Sequence, residues 1–78
     1  MITANIDSEH FKIRLADGNT RGWFEHKTLG DDCAGDLWFE NSVLIDYEGI
    51  YLIPEEVLQS LEIHGFDCKD IRDESRQD

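Results

Sequence analysis

The chain has 78 residues and a formal net charge of −11, from 18 Asp and Glu against 7 Lys and Arg. The length allows one domain, and a hydrophobic share of 40% with 10% aromatics is too high for a disordered acidic tail. The charge argues against direct binding to nucleic acid or to an anionic membrane, because both need a basic surface.

The first predicted elements form a β-hairpin. Residues 11–15 alternate, with Phe11, Ile13 and Leu15 on one face, which predicts a half-buried strand. The Asp-Gly-Asn sequence that follows predicts a turn, because Gly and Asn adopt positive φ at low cost. Residues 20–27 are expected to return as the second strand.

The middle of the chain predicts a loop followed by an antiparallel meander. The loop contains two glycines and three aspartates. Short apolar segments with intervening turns then predict three further strands. The loop is predicted at residues 28–36 and the three strands at residues 37–40, 43–47 and 50–53. A first turn is predicted at residues 41–42 and a second turn at residues 48–49. At the second turn, a two-residue turn and a bulged three-residue turn remain alternatives, and they place different residues inside.

Pro54 predicts the start of a helix, because its fixed φ suits the first helical position. The apolar stripe of this helix is Val57, Leu58 and Leu61. Gly65 is placed to end it in a left-handed cap. The elements together predict an α+β fold, a small antiparallel sheet of four or five strands with one C-terminal helix packed on a face.

One domain is expected over residues 1–68, with residues 69–78 as a charged tail that frays either directly or after a helical turn. The N-terminus does not resemble a signal peptide, and no run approaches the roughly 20 apolar residues of a membrane span. We therefore expect a cytoplasmic protein that makes no membrane contact. In that compartment Cys33 and Cys68 would be reduced thiols.

No motif in the sequence predicts a metal, a cofactor or a reaction. The candidate zinc ligands, whose spacing matches no compact zinc site, are His26, Cys33, His64 and Cys68. The turn that begins at Asp17 resembles the start of a calcium loop but has Thr28 where a bidentate Glu is required. No nucleophile elbow or Gly-rich phosphate loop is present, so we expect a protein that is not an enzyme.

The negative charge is concentrated in one part of the chain. Residues 1–27 hold equal numbers of acids and bases, whereas residues 28–68 hold ten acids and no Lys or Arg. Surfaces that serve solubility normally mix both signs. The segregation therefore predicts an acidic surface that faces a basic partner.

Spacing within the acidic segment indicates how its carboxylates are displayed. Asp46 and Glu48 share a strand face about 6.6 Å apart, and Glu55 and Glu62 share a helical face about 10 Å apart. If these faces converge, they form a rigid array spaced like phosphates along a strand. The predicted partner-binding residues, with the two tyrosines as exposed anchors, are Asp31, Asp32, Asp36, Glu40, Asp46, Tyr47, Glu48, Tyr51, Glu55, Glu56 and Glu62.

The function that these features favour is a nucleic-acid mimic that binds and blocks a basic nucleic-acid-binding protein, of the nuclease or CRISPR effector class. Anti-CRISPR, anti-restriction and nuclease immunity proteins are of this kind, and the chain is similar to them in size and charge only. The alternative is a small, non-enzymatic protein–protein interaction module of bacterial or phage origin whose acidity is incidental. Either a monomer or a homodimer is expected, because a small sheet leaves edges exposed.

Overall fold

The computed structural model describes residues 2–49 and 52–75. These residues form five strands and two helices: β1 Ile2–Asp7, β2 Phe11–Ala16, β3 Arg21–His26, β4 Gly30–Glu40, β5 Val43–Gly49, α1 Glu55–Ile63 and α2 Lys69–Ser75. The strands pair antiparallel in chain order, β1-β2-β3-β4-β5. The helices pack on the sheet, and the predicted α+β fold is confirmed.

Alternation along the strands separates a core face from an open face. On β2, the inward residues Phe11, Ile13 and Leu15 are buried as predicted, and the residues between them point to the other face. On β3, Phe24 is 1% exposed while the preceding Trp23 is 40% exposed. The sheet therefore buries one face only.

The two helices cover the core face. Val57, Leu58 and Leu61 of α1 are buried, as the apolar stripe predicted. Pro54 lies at the N-cap, immediately before the helix. Gly65 has φ +93°, the left-handed conformation expected after a helix C-terminus.

The loop predicted for residues 28–36 is wrong over most of its length. The turn covers residues 27–29, and β4 begins at Gly30. The pairing with β3 passes from His26 opposite Gly30 to Glu25 opposite Ala34, so residues 31–33 bulge out of the ladder. Gly and Asp are poor strand residues in isolation, and here cross-strand pairing overrides that preference.

The predicted turn at residues 48–49 is also wrong, because β5 continues through Gly49. Of the strand predicted at residues 50–53, Ile50 and Tyr51 lie outside the described residues, and 52–53 are not in a strand. The fifth strand of the sheet is instead β1, which the sequence did not predict. Its inward side is formed by only Ala4 and Ile6, a weak apolar signal.

The predicted tail at residues 69–78 begins with a helix rather than frayed chain. Helix α2 spans Lys69–Ser75, and the side chain of Ile71 lies in the core at 5% exposure. This helix packs beside β5. Burial of this isoleucine contributes to holding a segment whose other residues are mostly polar.

Gly22 is required by the close approach of β2. A Cβ at this position would lie 2.6 Å from the backbone oxygen of Arg14 and 2.7 Å from Cδ2 of Leu15. Backbone atoms cannot move aside as a flexible side chain can, so any side chain here displaces one strand against the other.

We expect Gly22→Ala to lower the free energy of unfolding by about 1–3 kcal/mol, as overpacking of a close-packed core does. Urea denaturation followed by circular dichroism measures this change. The control is Asn5→Ala, which places an alanine on the exposed side of β1 and is expected to stay within about 0.5 kcal/mol of the original protein. Equal stability of the Gly22 variant and the original protein would contradict the proposed close contact.

Candidate protein-binding face

The uncovered side of the sheet, which we call the open face, carries a group of carboxylates on β4 and β5. Asp36 lies directly opposite Glu48, and Trp38 lies directly opposite Asp46. All three carboxylate residues are exposed. Directly opposed strand residues have Cβ atoms about 4.5–5.5 Å apart, so Asp36 and Glu48 form a close pair of like charges.

A groove of ≈ 590 Å³ lies beside this pair. Its described lining residues contribute four carboxylates and one exposed indole but no Lys or Arg. They are Trp23, Phe24, Glu25, Asp31, Ala34, Gly35, Asp36, Glu48 and Gly49. The bulge at residues 31–33 brings Asp31 to this groove, which explains how a residue outside the regular ladder joins the acids of β4 and β5.

Trp23 is the exposed aromatic residue at the centre of the open face. Its position on β3 borders the acidic groove on one side and, on the other, a groove of ≈ 380 Å³ lined by Lys12 and Arg14. A third, smaller groove separates Trp23 from Trp38. Trp23 was not predicted as an anchor from the sequence. The available signal was strand alternation, because neighbouring residues such as Trp23 and Phe24 point to opposite faces and only one of the two can be buried.

Tyr47, a predicted exposed anchor, faces the core side of the sheet. Its ring stacks on Phe24 with centroids 5.9 Å apart, and it packs against the buried cluster. Burial raises the pKa of the Tyr47 hydroxyl above its ordinary value of 10.0. The other predicted anchor, Tyr51, lies outside the described residues.

The helix carboxylates do not join the acids of the open face. Glu55 and Glu62 both form ion pairs with Arg72, whose guanidinium bridges α1 and α2. Hydrogen bonding to Glu55 is the main cause that raises the pKa of Arg72. The sequence could not indicate this arrangement, because Arg72 comes from the segment that was predicted to fray.

Asp32 and Glu40 are also exposed, and Glu40 lies on the same side of β4 as Asp36 and Trp38, because Leu37 and Phe39 between them are buried. Asp32 lies in the bulge, and its backbone N–H donates to the carbonyl of Leu29. Glu40 ends β4 opposite Val43. The predicted array therefore divides, and the role of every member in partner binding stays a prediction. The acids on the open side of the sheet are Asp31, Asp36, Glu40, Asp46 and Glu48.

Glu56 connects helix α1 to the turn between β1 and β2. One carboxylate oxygen accepts from the Ser8 hydroxyl at 2.5 Å and from the His10 backbone N–H at 2.7 Å; the other lies 2.9 Å from His10 Nδ1. These hydrogen bonds lower the pKa of Glu56 to about 2, and the bond from Ser8 is the largest cause. The bond to Glu56 likewise raises the pKa of His10.

The Ser8, Glu56 and His10 side chains are not arranged for nucleophilic catalysis. In a catalytic triad the imidazole lies between the hydroxyl and the carboxylate, so that it can take the hydroxyl proton. Here the carboxylate lies between the hydroxyl and the imidazole. The arrangement connects two structural elements.

Residues 2–49 and 52–75 contain no group of three or more His, Cys, Asp or Glu placed to hold a metal ion. Cys33 and Cys68 are free thiols. Burial is the main cause that raises the pKa of the Cys68 thiol to about 12. The residues that resemble a calcium loop form the turn between β2 and β3, where Asp17, Gly18 and Asn19 all have positive φ.

Comparison with known proteins gives no relative from which a role could be inferred: no family model, curated protein or solved structure matches the chain. Within residues 2–49 and 52–75, neither helix has the length and apolar character needed to cross a membrane. The geometry of the open face is therefore the basis for a functional proposal.

We expect Glu56→Gln to lower the free energy of unfolding more at about pH 5.5 than at about pH 9. The pKa of folded His10 is raised above 6.5, so its contribution is complete below about pH 6.5 and is lost as the pH rises through the raised value. The pKa of Glu56 is lowered from 4.5, so its contribution is lost only as the pH falls from about 4.5 towards about 2.

Urea denaturation of both proteins at the two pH values measures this difference. The control is Glu40→Gln, which removes an exposed carboxylate of the same charge. It is expected to change stability little, and equally at both values. A loss for Glu56→Gln that does not depend on pH would contradict the assigned pairing with His10.

Proposed function

We propose that the protein is a non-enzymatic, stoichiometric inhibitor that binds a basic nucleic-acid-binding protein through the carboxylates of its open face. The observation that carries this proposal is the direct opposition of Asp36 and Glu48 across β4 and β5. Like charges at directly opposed positions destabilise a sheet. A cationic side chain of a partner, placed between the two carboxylates, would relieve that repulsion.

The groove beside Trp23 supports a cationic occupant. A Lys or Arg side chain that enters it would meet the carboxylates of Glu25, Asp31, Asp36 and Glu48. It would also meet the Trp23 indole, which attracts cations through the quadrupole of its ring. An arginine is favoured, because its planar guanidinium can contact carboxylates and stack on an aromatic face at once.

The whole-molecule charge supports a nucleic-acid-binding protein as the partner. Such proteins present Lys and Arg in surfaces that face phosphates, and a chain with net charge −11 is attracted to these surfaces over long distances. Carboxylates at strand spacing would occupy the positions of phosphates. A nuclease or CRISPR effector is the class of target that this charge pattern favours.

A second candidate function, a protein interaction module with incidental acidity, is favoured by one observation. Trp23 is 40% exposed in the middle of a sheet face, and tryptophans in such positions are frequent anchors of protein interfaces. In this alternative the indole supplies most of the binding free energy and the surrounding carboxylates contribute little.

We expect the combined variant Asp36→Asn with Glu48→Gln to weaken capture of a basic nucleic-acid-binding protein from bacterial lysate by about tenfold or more. The capture is measured with the immobilised protein, and mass spectrometry identifies what is bound. Added DNA, or roughly 0.5 M salt, is expected to release the target, because both act on charge-mediated binding.

The matched control is Glu9→Gln with Asp70→Asn, which removes two exposed carboxylates away from the open face. It should retain capture if the position of the charges matters rather than their number. Equal loss in both variants, or a complex that persists under DNA and salt, would contradict the inhibitor proposal. Persistence together with loss in Trp23→Ala would instead support the interaction module.

A further inference from the structure

The residues that cross the middle of the open face, which we call the middle row, carry positive charge on one side of Trp23 and negative charge on the other. In register across the five strands, this row contains Asn5, Arg14, Trp23, Asp36 and Glu48. Arg14 therefore lies on the strand next to Trp23 on one side, and Asp36 lies on the strand next to Trp23 on the other side. Adjacent strands are about 4.8 Å apart, so the two charges are equidistant from the central indole.

We propose that two copies of the chain pack open face to open face about a two-fold axis that runs along β3. Such an axis places β2 of one copy over β4 of the second copy and Trp23 over its equivalent. Arg14 of each copy then faces Asp36 of the other, which forms two identical ion pairs, as a closed isologous dimer requires. The uncovered tryptophans become the core of a two-sheet sandwich.

Side-chain sizes agree with this axis. The outward residues of β2 that flank Arg14 are Ala16 and Lys12, and those of β4 that flank Asp36 are Trp38 and Ala34. In the dimer Ala16 lies over Trp38, and Lys12 lies over Ala34. Each bulky side chain thus meets a small one, which is the complementarity that face-to-face packing of sheets needs.

A two-fold axis across the strands gives an unfavourable arrangement. It would place Arg14 over Arg14 and Asp36 over Asp36 of the second copy, so that every charge in the middle row meets its own sign. Like-charge contacts of this kind select against an interface. The transverse axis would place Arg21 over Glu25, but it opposes like charges at Arg14, Asp36 and Glu48, so the charge order of the middle row favours the axis along β3.

Some of the remaining charges permit the pairing and others oppose it. Arg14 already contacts Asp7 through Nη1 at 2.6 Å, and a guanidinium has further N–H donors for a second carboxylate. The axis also brings Arg21 and Glu25 of β3 towards the same residues of the second copy, and these like-charge contacts oppose the two Arg14–Asp36 ion pairs. The helix carboxylates lie on the other side of the sheet, and salt screens their mutual repulsion.

The inference does not depend on the proposed inhibitor function. The dimer would cover Asp36 and Glu48, so self-association and the binding of a basic partner exclude one another. The experiment below contains no target protein, and its outcome is therefore separate from the outcome of the capture experiment.

Sedimentation equilibrium at roughly 0.15 M salt, from the micromolar to the millimolar range, measures the association of the purified chain. We expect the original protein to dimerise, and Arg14→Glu and Asp36→Arg each to weaken dimerisation by about tenfold or more, because each alone creates two like-charge contacts. An equimolar mixture of the two variants should dimerise again. In a dimer of unlike chains the two substituted positions face each other with opposite charges, and the unsubstituted Arg14 and Asp36 still face each other.

The matched controls are Lys27→Glu and Asp70→Arg, exposed sites away from the middle row, which should dimerise like the original protein. Circular dichroism establishes that each variant is folded. A monomer over the whole range, or a dimer that neither open-face variant weakens, would overturn the proposal; the latter would indicate a sheet edge or the helices. A mixture that stays monomeric would overturn it as well.

Discussion

The architecture depends on one constraint: the described residues form five strands but only enough helix to cover one side of them. The described residues measure 32 × 29 × 19 Å along their principal axes, and the shortest dimension fits one sheet and one layer of helix. The buried apolar side chains of the described residues form one cluster on the covered side. The side chains on the other side of the sheet, the open face, are therefore uncovered and can contact a binding partner.

This division also separates the acids into two groups with different surroundings. On the helical side, Glu55 and Glu62 are paired with Arg72, and Glu56 is held by Ser8 and His10. These carboxylates contribute to holding the helices and the first turn in place. On the open face, in contrast, two carboxylates oppose each other across β4 and β5, and this difference separates structural acids from candidate binding acids.

Local patterns in the sequence predicted the elements whose periodicity is strong. The alternation of Phe11, Ile13 and Leu15 and the helical spacing of Val57, Leu58 and Leu61 each correctly identified a buried face. The turn that begins at Asp17 was predicted from its residue types, and its positive φ values agree.

The features that the sequence could not predict depend on contacts between distant segments. Strand β4 starts at Gly30 because β3 pairs with it, although its residues are poor strand formers. Arg72 could not be matched to its carboxylates while its segment was expected to fray. For Trp23 and Phe24, alternation requires opposite faces, and the register with β2, which sets Phe24 opposite the buried Ile13, determines which ring is buried.

The central claim is that Asp36 and Glu48 repel each other in the free protein and are therefore available to a cationic partner. A double-mutant cycle with Asp36→Asn and Glu48→Gln, measured by urea denaturation of dilute protein, tests this directly. The account predicts an unfavourable coupling of about 0.2–1 kcal/mol in the original protein, which decreases as salt is added. A favourable coupling, or none at low salt, would contradict it.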